Sequence, residues 1–184
     1  CWTTNTQINF CAKAYPTVPS VHPDSAALTV LGGLLRNGYL HTKIREQGGA
    51  YGGGASQDNQ NGVFRFFSYR DPRIEGTLED FNGAIAWVLN NPLSREQIDE
   101  AILGVISSLD KPGSPAGEAI SAFHGELNGR DKQALEHFRN RVLSVTDDDL
   151  RHVAKTYLNA GKGSRSVITS AGRSKDLDMN ITNV

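Results

Sequence analysis

The chain has 184 residues, enough to bury an apolar core as a single domain without metal or disulfide support. Its 19 basic and 20 acidic residues give a formal net charge of -1 with no dense Lys/Arg block, so the electrostatic footprint of a nucleic-acid binder is missing. Two cysteines, Cys1 and Cys11, form neither a disulfide framework nor a metal-binding spacing and fit a reducing compartment; no apolar run approaches the roughly 20 residues of a bilayer span, so no membrane partner is expected.

Residues 3–14 are rich in Thr, Ile and Phe. Ile8, Phe10 and Ala12 alternate with Gln7, Asn9 and Cys11, and this period of two predicts a half-buried first strand in which Cys11 is a small core residue. Three prolines in PTVPSVHPD then break regular structure. Asp24 or Ser25 stands where it can cap the helix implied by SAALTVLGGLLRNGYLHTKIRE, whose apolar side is Leu28, Val30, Leu31, Leu34, Leu35 and Leu40.

After a glycine-rich stretch, AYGGGASQ and GVFRFFSYR flank DNQNG, where Asn61 and Gly62 both tolerate positive φ and signal a hairpin. Phe64, Phe66, Phe67 and Tyr69 read as sheet packing rather than as a platform for stacked bases. Leu78, Phe81, Ile85, Val88 and Leu89 recur at helical spacing until Pro92 closes the run, and Ser94 to Gln97 is a capping box for the next helix.

Further helices are predicted at about 116–128 and 131–143, and Thr146 with three following aspartates makes a helix N-terminus rather than a calcium loop. SRSVITSAG reads as a last strand, and residues 174–184 as a frayed tail. Strands at both ends and in the middle, separated by helical pairs, predict one α+β domain over 1–184: an antiparallel sheet with helices packed on one face. The start without Met, leading at once into strand-like sequence, reads as a piece of a longer chain.

The stretch IREQGGAYGGG, residues 44–54, needs its own account. A glycine helix stop explains Gly48 or Gly49, but further glycines weaken a strand unless another group must approach its backbone. A phosphate loop is opposed by the order of elements, since the helix precedes the glycines and there is no GKS or GKT. A peptide-binding sheet edge is the third reading. A turn at Gly48-Gly49 can fold Arg45, at the helix end, and Tyr51, at the strand start, toward one spot, where a guanidinium and a phenol donate to carbonyl oxygens of an extended chain.

LHTKIREQGGAYGGGA followed by FFSYRDPR resembles the C-terminal half of the pitrilysin-type zinc metallopeptidases (inverzincins), nearest the presequence protease branch, from about Thr3 to Gly172. The resemblance implies an inverzincin metallopeptidase-like domain, the fourth of four in a clamshell that closes around an unstructured peptide. It implies that zinc and a catalytic glutamate belong to the N-terminal catalytic half of the same parent chain, and that Arg45 and Tyr51 hold substrate near the scissile bond. It places the parent in the cytoplasm if bacterial and in an organelle matrix if eukaryotic. Domains of this fold also act as non-catalytic halves of processing peptidases and as scaffold subunits of a respiratory complex, so partner binding without cleavage is the rival reading.

The zinc motif of that family, HxxEH, is missing. Its nearest counterpart, Gln133 to His137 in QALEH, lacks the first His and comes late in the chain, and His22, His41, His124 and His152 are scattered. No catalytic residue, metal ligand or cofactor is therefore expected in this chain itself.

Overall fold

Six strands form one sheet. The computed structural model describes residues 1–127, 129 and 131–183. The strands are β1 (Trp2–Thr3), β2 (Asn9–Pro16), β3 (Gly52–Asp58), β4 (Val63–Asp71), β5 (Ser164–Thr169) and β6 (Thr182–Asn183), in the order β3-β4-β2-β5-β1-β6. The four long strands pair antiparallel as expected, whereas the two-residue strands β1 and β6 are parallel additions at one edge. The stretch from Ser174 that reads as a frayed tail thus carries β6, and the Ser174 side chain is buried.

Helix α1 (Ser25–Leu35) runs directly into a π-helix (Arg36–Gln47), and both pack against β3. Its start is not side-chain capped. The Asp24 carboxylate accepts instead from Tyr157 Oη at 2.7 Å, and Ser25 Oγ donates to the carbonyls of Ser20 and His22. Helices α2 (Glu75–Asn90), α3 (Arg95–Leu109), α4 (Pro115–Leu127), α5 (Lys132–Leu143) and α6 (Asp147–Tyr157) follow, with a short α7 (Ala171–Ser174). Both bonds of the Ser94–Gln97 capping box form, and Thr146 with Asp149 forms a second.

The hairpin loop turns on Asp58, whose carboxylate accepts from the Gln60 and Asn61 amides and the Asn61 side chain; these bonds hold it below the usual carboxylate range. Gly62 adopts φ +63°, whereas Asn61 keeps a negative φ and donates its side-chain amide to Asp58.

The period of two in β2 is present, but the polar-looking side is the one that points inward. Asn9, Cys11, Lys13 and Tyr15 are buried, while Phe10 and Ile168, paired across β2 and β5, stand on the uncovered face. Partners make this possible. Asn9 Nδ2 donates to the Asp71 carbonyl at 2.8 Å, Asn9 Oδ1 accepts from Thr169 at 2.6 Å, and Lys13 Nζ donates to Asn82 at 2.7 Å.

On the same inward face Phe66 touches Phe64, Phe81 and Tyr15 with ring centroids 5.4, 5.5 and 6.1 Å apart, joining sheet to α2. Phe67 and Tyr69 turn to the open face, so the aromatic run of β4 serves two surfaces.

Phe66→Ala is expected to cost about 3–5 kcal/mol in urea unfolding, the range for a fully buried aromatic. Burial pushes the Cys11 thiol up to about 12. It therefore stays protonated at pH 8, and iodoacetamide at that pH should label Cys1 and spare Cys11 until the chain is unfolded.

Candidate functional site: a locked bend between the π-helix and β3

Leu40 and Ile44 are the buried residues of the π-helix, and this fixes the opposite side of its last turns toward solvent. His41 and Arg45 are exposed there, one turn apart. Arg45 Nη1 lies 3.3 Å from His41 Nε2, and His41 Nδ1 lies 3.3 Å from the Glu46 carboxylate. A guanidinium only donates, so Nε2 accepts and the ring proton sits on Nδ1, facing Glu46. His41 thus braces Arg45, a role that sequence reading missed although the i, i+4 spacing could have signalled it.

The helix ends by giving its last carbonyls to the bend: Arg45 O accepts from Gly49 at 3.0 Å and Ile44 O from Ala50 at 3.1 Å. Gly49 takes φ +79°, which disfavours any residue with a Cβ. Gly48 is required by a neighbour. A Cβ there would lie 2.0 Å from Arg73 Nη2 and 2.5 Å from the Ile44 carbonyl.

Arg73 reaches this place because its Nη2 donates to the Lys43 carbonyl at 3.2 Å and to Asp80 at 2.8 Å. Its own backbone is held by the fully buried Asp71, whose carboxylate accepts from the Arg73 amide and from Thr77.

Beyond the bend, Tyr51 is 65% exposed, and its amide donates to the Arg70 carbonyl at 3.2 Å. Its ring lies 5.7 Å from Tyr69, and the Arg70 guanidinium lies over it at 5.5 Å. Gly52 pairs with Tyr69, whose hydroxyl would stand 2.5 Å from a Cβ at that position. The carbonyl of Phe67 and the stem of Arg36 similarly occupy the space beside Gly53 and Gly54. The glycine run is therefore a strand over which other groups lie.

The structure places Arg45 and Tyr51 on the two sides of this bend, both exposed, next to β3 at the edge of the sheet. Such an arrangement can donate hydrogen bonds to an extended backbone. A cavity of about 280 Å³ lies between Val21, Leu109, Leu135, Phe138 and Arg141 and is lined by no residue of the bend. Among the described residues, no three His, Cys, Asp or Glu side chains gather as a metal-binding group. Gln133, Glu136 and His137 are exposed on α5.

Gly48→Ala is expected to destabilise by about 1–3 kcal/mol in urea unfolding, because a backbone carbonyl as well as the Arg73 guanidinium must yield. Gly49→Asn, which tolerates the left-handed region, should cost less than Gly49→Ala.

A family profile described as "PreP C-terminal domain" matches residues 2–172. Mitochondrial presequence protease of Danio rerio is 39% identical over 155 residues, 84% of this chain and 15% of the relative. That of Emericella nidulans is 40% identical over 170 residues, 92% and 16% respectively. The chain thus spans about one-sixth of the length of these relatives.

Among solved structures, a protease from Helicobacter pylori superposes with a TM-score of 0.78 at 17% identity, over 92% of this chain and 42% of that one. The inactive peptidase domain of a putative zinc protease from Bordetella parapertussis gives 0.76 at 16%, over 90% and 92%. These likenesses establish the α+β fold. No helix among the described residues is long and apolar enough to cross a membrane. With its bend motif inside the matched span, the chain belongs to the presequence protease C-terminal domain family.

Proposed function

We propose that this chain is the substrate-binding C-terminal domain of a zinc metalloendopeptidase that degrades unstructured peptides. Arg45 and Tyr51 donate hydrogen bonds to the peptide main chain and align it, a contribution of orientation rather than of bond-breaking chemistry. The observation that carries this reading is the exposure of a braced guanidinium and a braced phenol on either side of one locked bend, beside an edge strand. The bend is open surface rather than a closed cavity, which suits one wall of a chamber completed by another part of a longer chain. Main-chain contacts at such a place read extension rather than sequence, and this favours unfolded substrates.

Zinc, and the water that it activates for attack on a peptide carbonyl, belong in this proposal to the N-terminal catalytic half of the parent. No step of that chemistry passes through the residues described above. The matched relatives are named mitochondrial, and an organelle matrix is the compartment that we infer for a eukaryotic parent.

A second reading, partner binding without cleavage, draws on structural neighbours described as inactive peptidase domains. An HxxEH motif upstream in the parent gene favours the peptidase, and its absence favours the binding domain.

In the full-length parent, Arg45→Ala and Tyr51→Ala are each expected to lower kcat/KM on an unstructured peptide about 10- to 100-fold, the cost of leaving a peptide carbonyl without its donor in a closed chamber. Zinc content and melting temperature should be unchanged. Turnover within about twofold of the parent for both variants would overturn the assignment.

A further inference from the structure

Arg70 is the one non-glycine residue with positive φ among the described residues, at +49°. Left-handed backbone disfavours any side chain with a Cβ, and glycine would hold the same conformation without that penalty. The arginine is not retained for an ion pair, since no carboxylate among the described residues pairs with it. Its guanidinium lies over the ring of Tyr51, 5.5 Å from the centroid, and its carbonyl accepts the Tyr51 amide at 3.2 Å. One residue therefore holds both the main chain and the ring of Tyr51.

Tyr69 supplies the second contact, 5.7 Å away and tilted by 57°. It is in register with Gly52, whose missing side chain leaves room for the Tyr69 ring. A cation above a phenol and an aromatic at its flank restrict a side chain that, at 65% exposure, has few other neighbours to fix its rotamer. We propose that Arg70 and Tyr69 are positioning residues for Tyr51: they hold its phenol in the orientation that meets the peptide, without touching the peptide themselves. This rests on the reading of Tyr51 as a substrate contact. The strained backbone at Arg70 persists because that position must present both a carbonyl and a cation to the same neighbour.

The decisive variant is Arg70→Gly in the full-length parent, because it relieves the strain while removing the cation. A structural role for Arg70 predicts a lower melting temperature, with activity falling in proportion. Positioning predicts an equal or higher melting temperature with kcat/KM on an unstructured peptide lowered about three- to tenfold. Arg70→Lys should recover part of that loss. In a Tyr51→Ala background, Arg70→Gly should cost nothing more.

A fluorine label, 3-fluorotyrosine at position 51 of the full-length enzyme, reports the ring directly: its resonance should shift toward that of free fluorotyrosine in Arg70→Gly and in Tyr69→Ala. An unmoved resonance, or an equal loss of activity in the Tyr51→Ala background, overturns the proposal. A moved resonance together with normal activity in both Tyr51→Ala and Arg70→Gly would uphold the positioning and refute the peptide contact instead.

Discussion

The placement of Arg73 against Gly48 is the constraint on which the bend depends. One guanidinium joins three elements: the last π-helical carbonyl before Ile44, the carboxylate of Asp80 on α2, and the turn after β4 that carries Arg73 itself. Asp80 is half-buried and the pair is partly shielded from water, so the contact is stronger than a surface ion pair, and its geometry admits only a residue without a side chain at position 48. Remove the glycine and the helix end must move. The positions of both Arg45 and Tyr51 relative to the sheet are set by that helix end.

The buried polar residues beneath the bend carry the same logic inward. Asp71 is fully buried and yet satisfied, by Thr77 and by the Arg73 amide, while Asn9 links the Asp71 carbonyl to Thr169. This chain of bonds runs from β5 through β2 to the end of β4, so the last residues of that strand, Tyr69 and Arg70 among them, are anchored across the sheet. Leaving one partner unmade would strand a buried charge or amide, which is why such a network gives the turn one geometry.

Much of this architecture was legible in the sequence. Helix positions followed from apolar spacing and from Ser94 and Thr146, whose short polar side chains before an apolar run can satisfy free amides locally. The hairpin followed from DNQNG. The inward face of β2 was not legible, because Asn9 and Lys13 are buried by partners 62 and 69 residues away, and local hydrophobicity does not encode those.

At the bend, the motif drew attention to Arg45 and Tyr51, but why each glycine stands there could be seen only from Arg73, Tyr69 and Arg36 lying over them. His41, Tyr69 and Arg70 were passed over for the same reason. A histidine or tyrosine acting through a neighbour has no sequence spacing of its own beyond a single turn or a paired strand.

The π-helix that leads to the bend has a consequence for how this segment tolerates change. Over Arg36–Gln47 the backbone is wound wider than an α-helix, so each turn takes up more chain for the same rise. Losing one residue there would let the segment relax into ordinary α-geometry and swing everything after it by about 100° around the axis. Arg45 would then point into the sheet or away from it, and Gly48 would lose its alignment with Arg73. Away from His41 and Arg45, substitutions along the exposed side of this segment are tolerable, but its length is not: a single-codon deletion would be more damaging than most replacements.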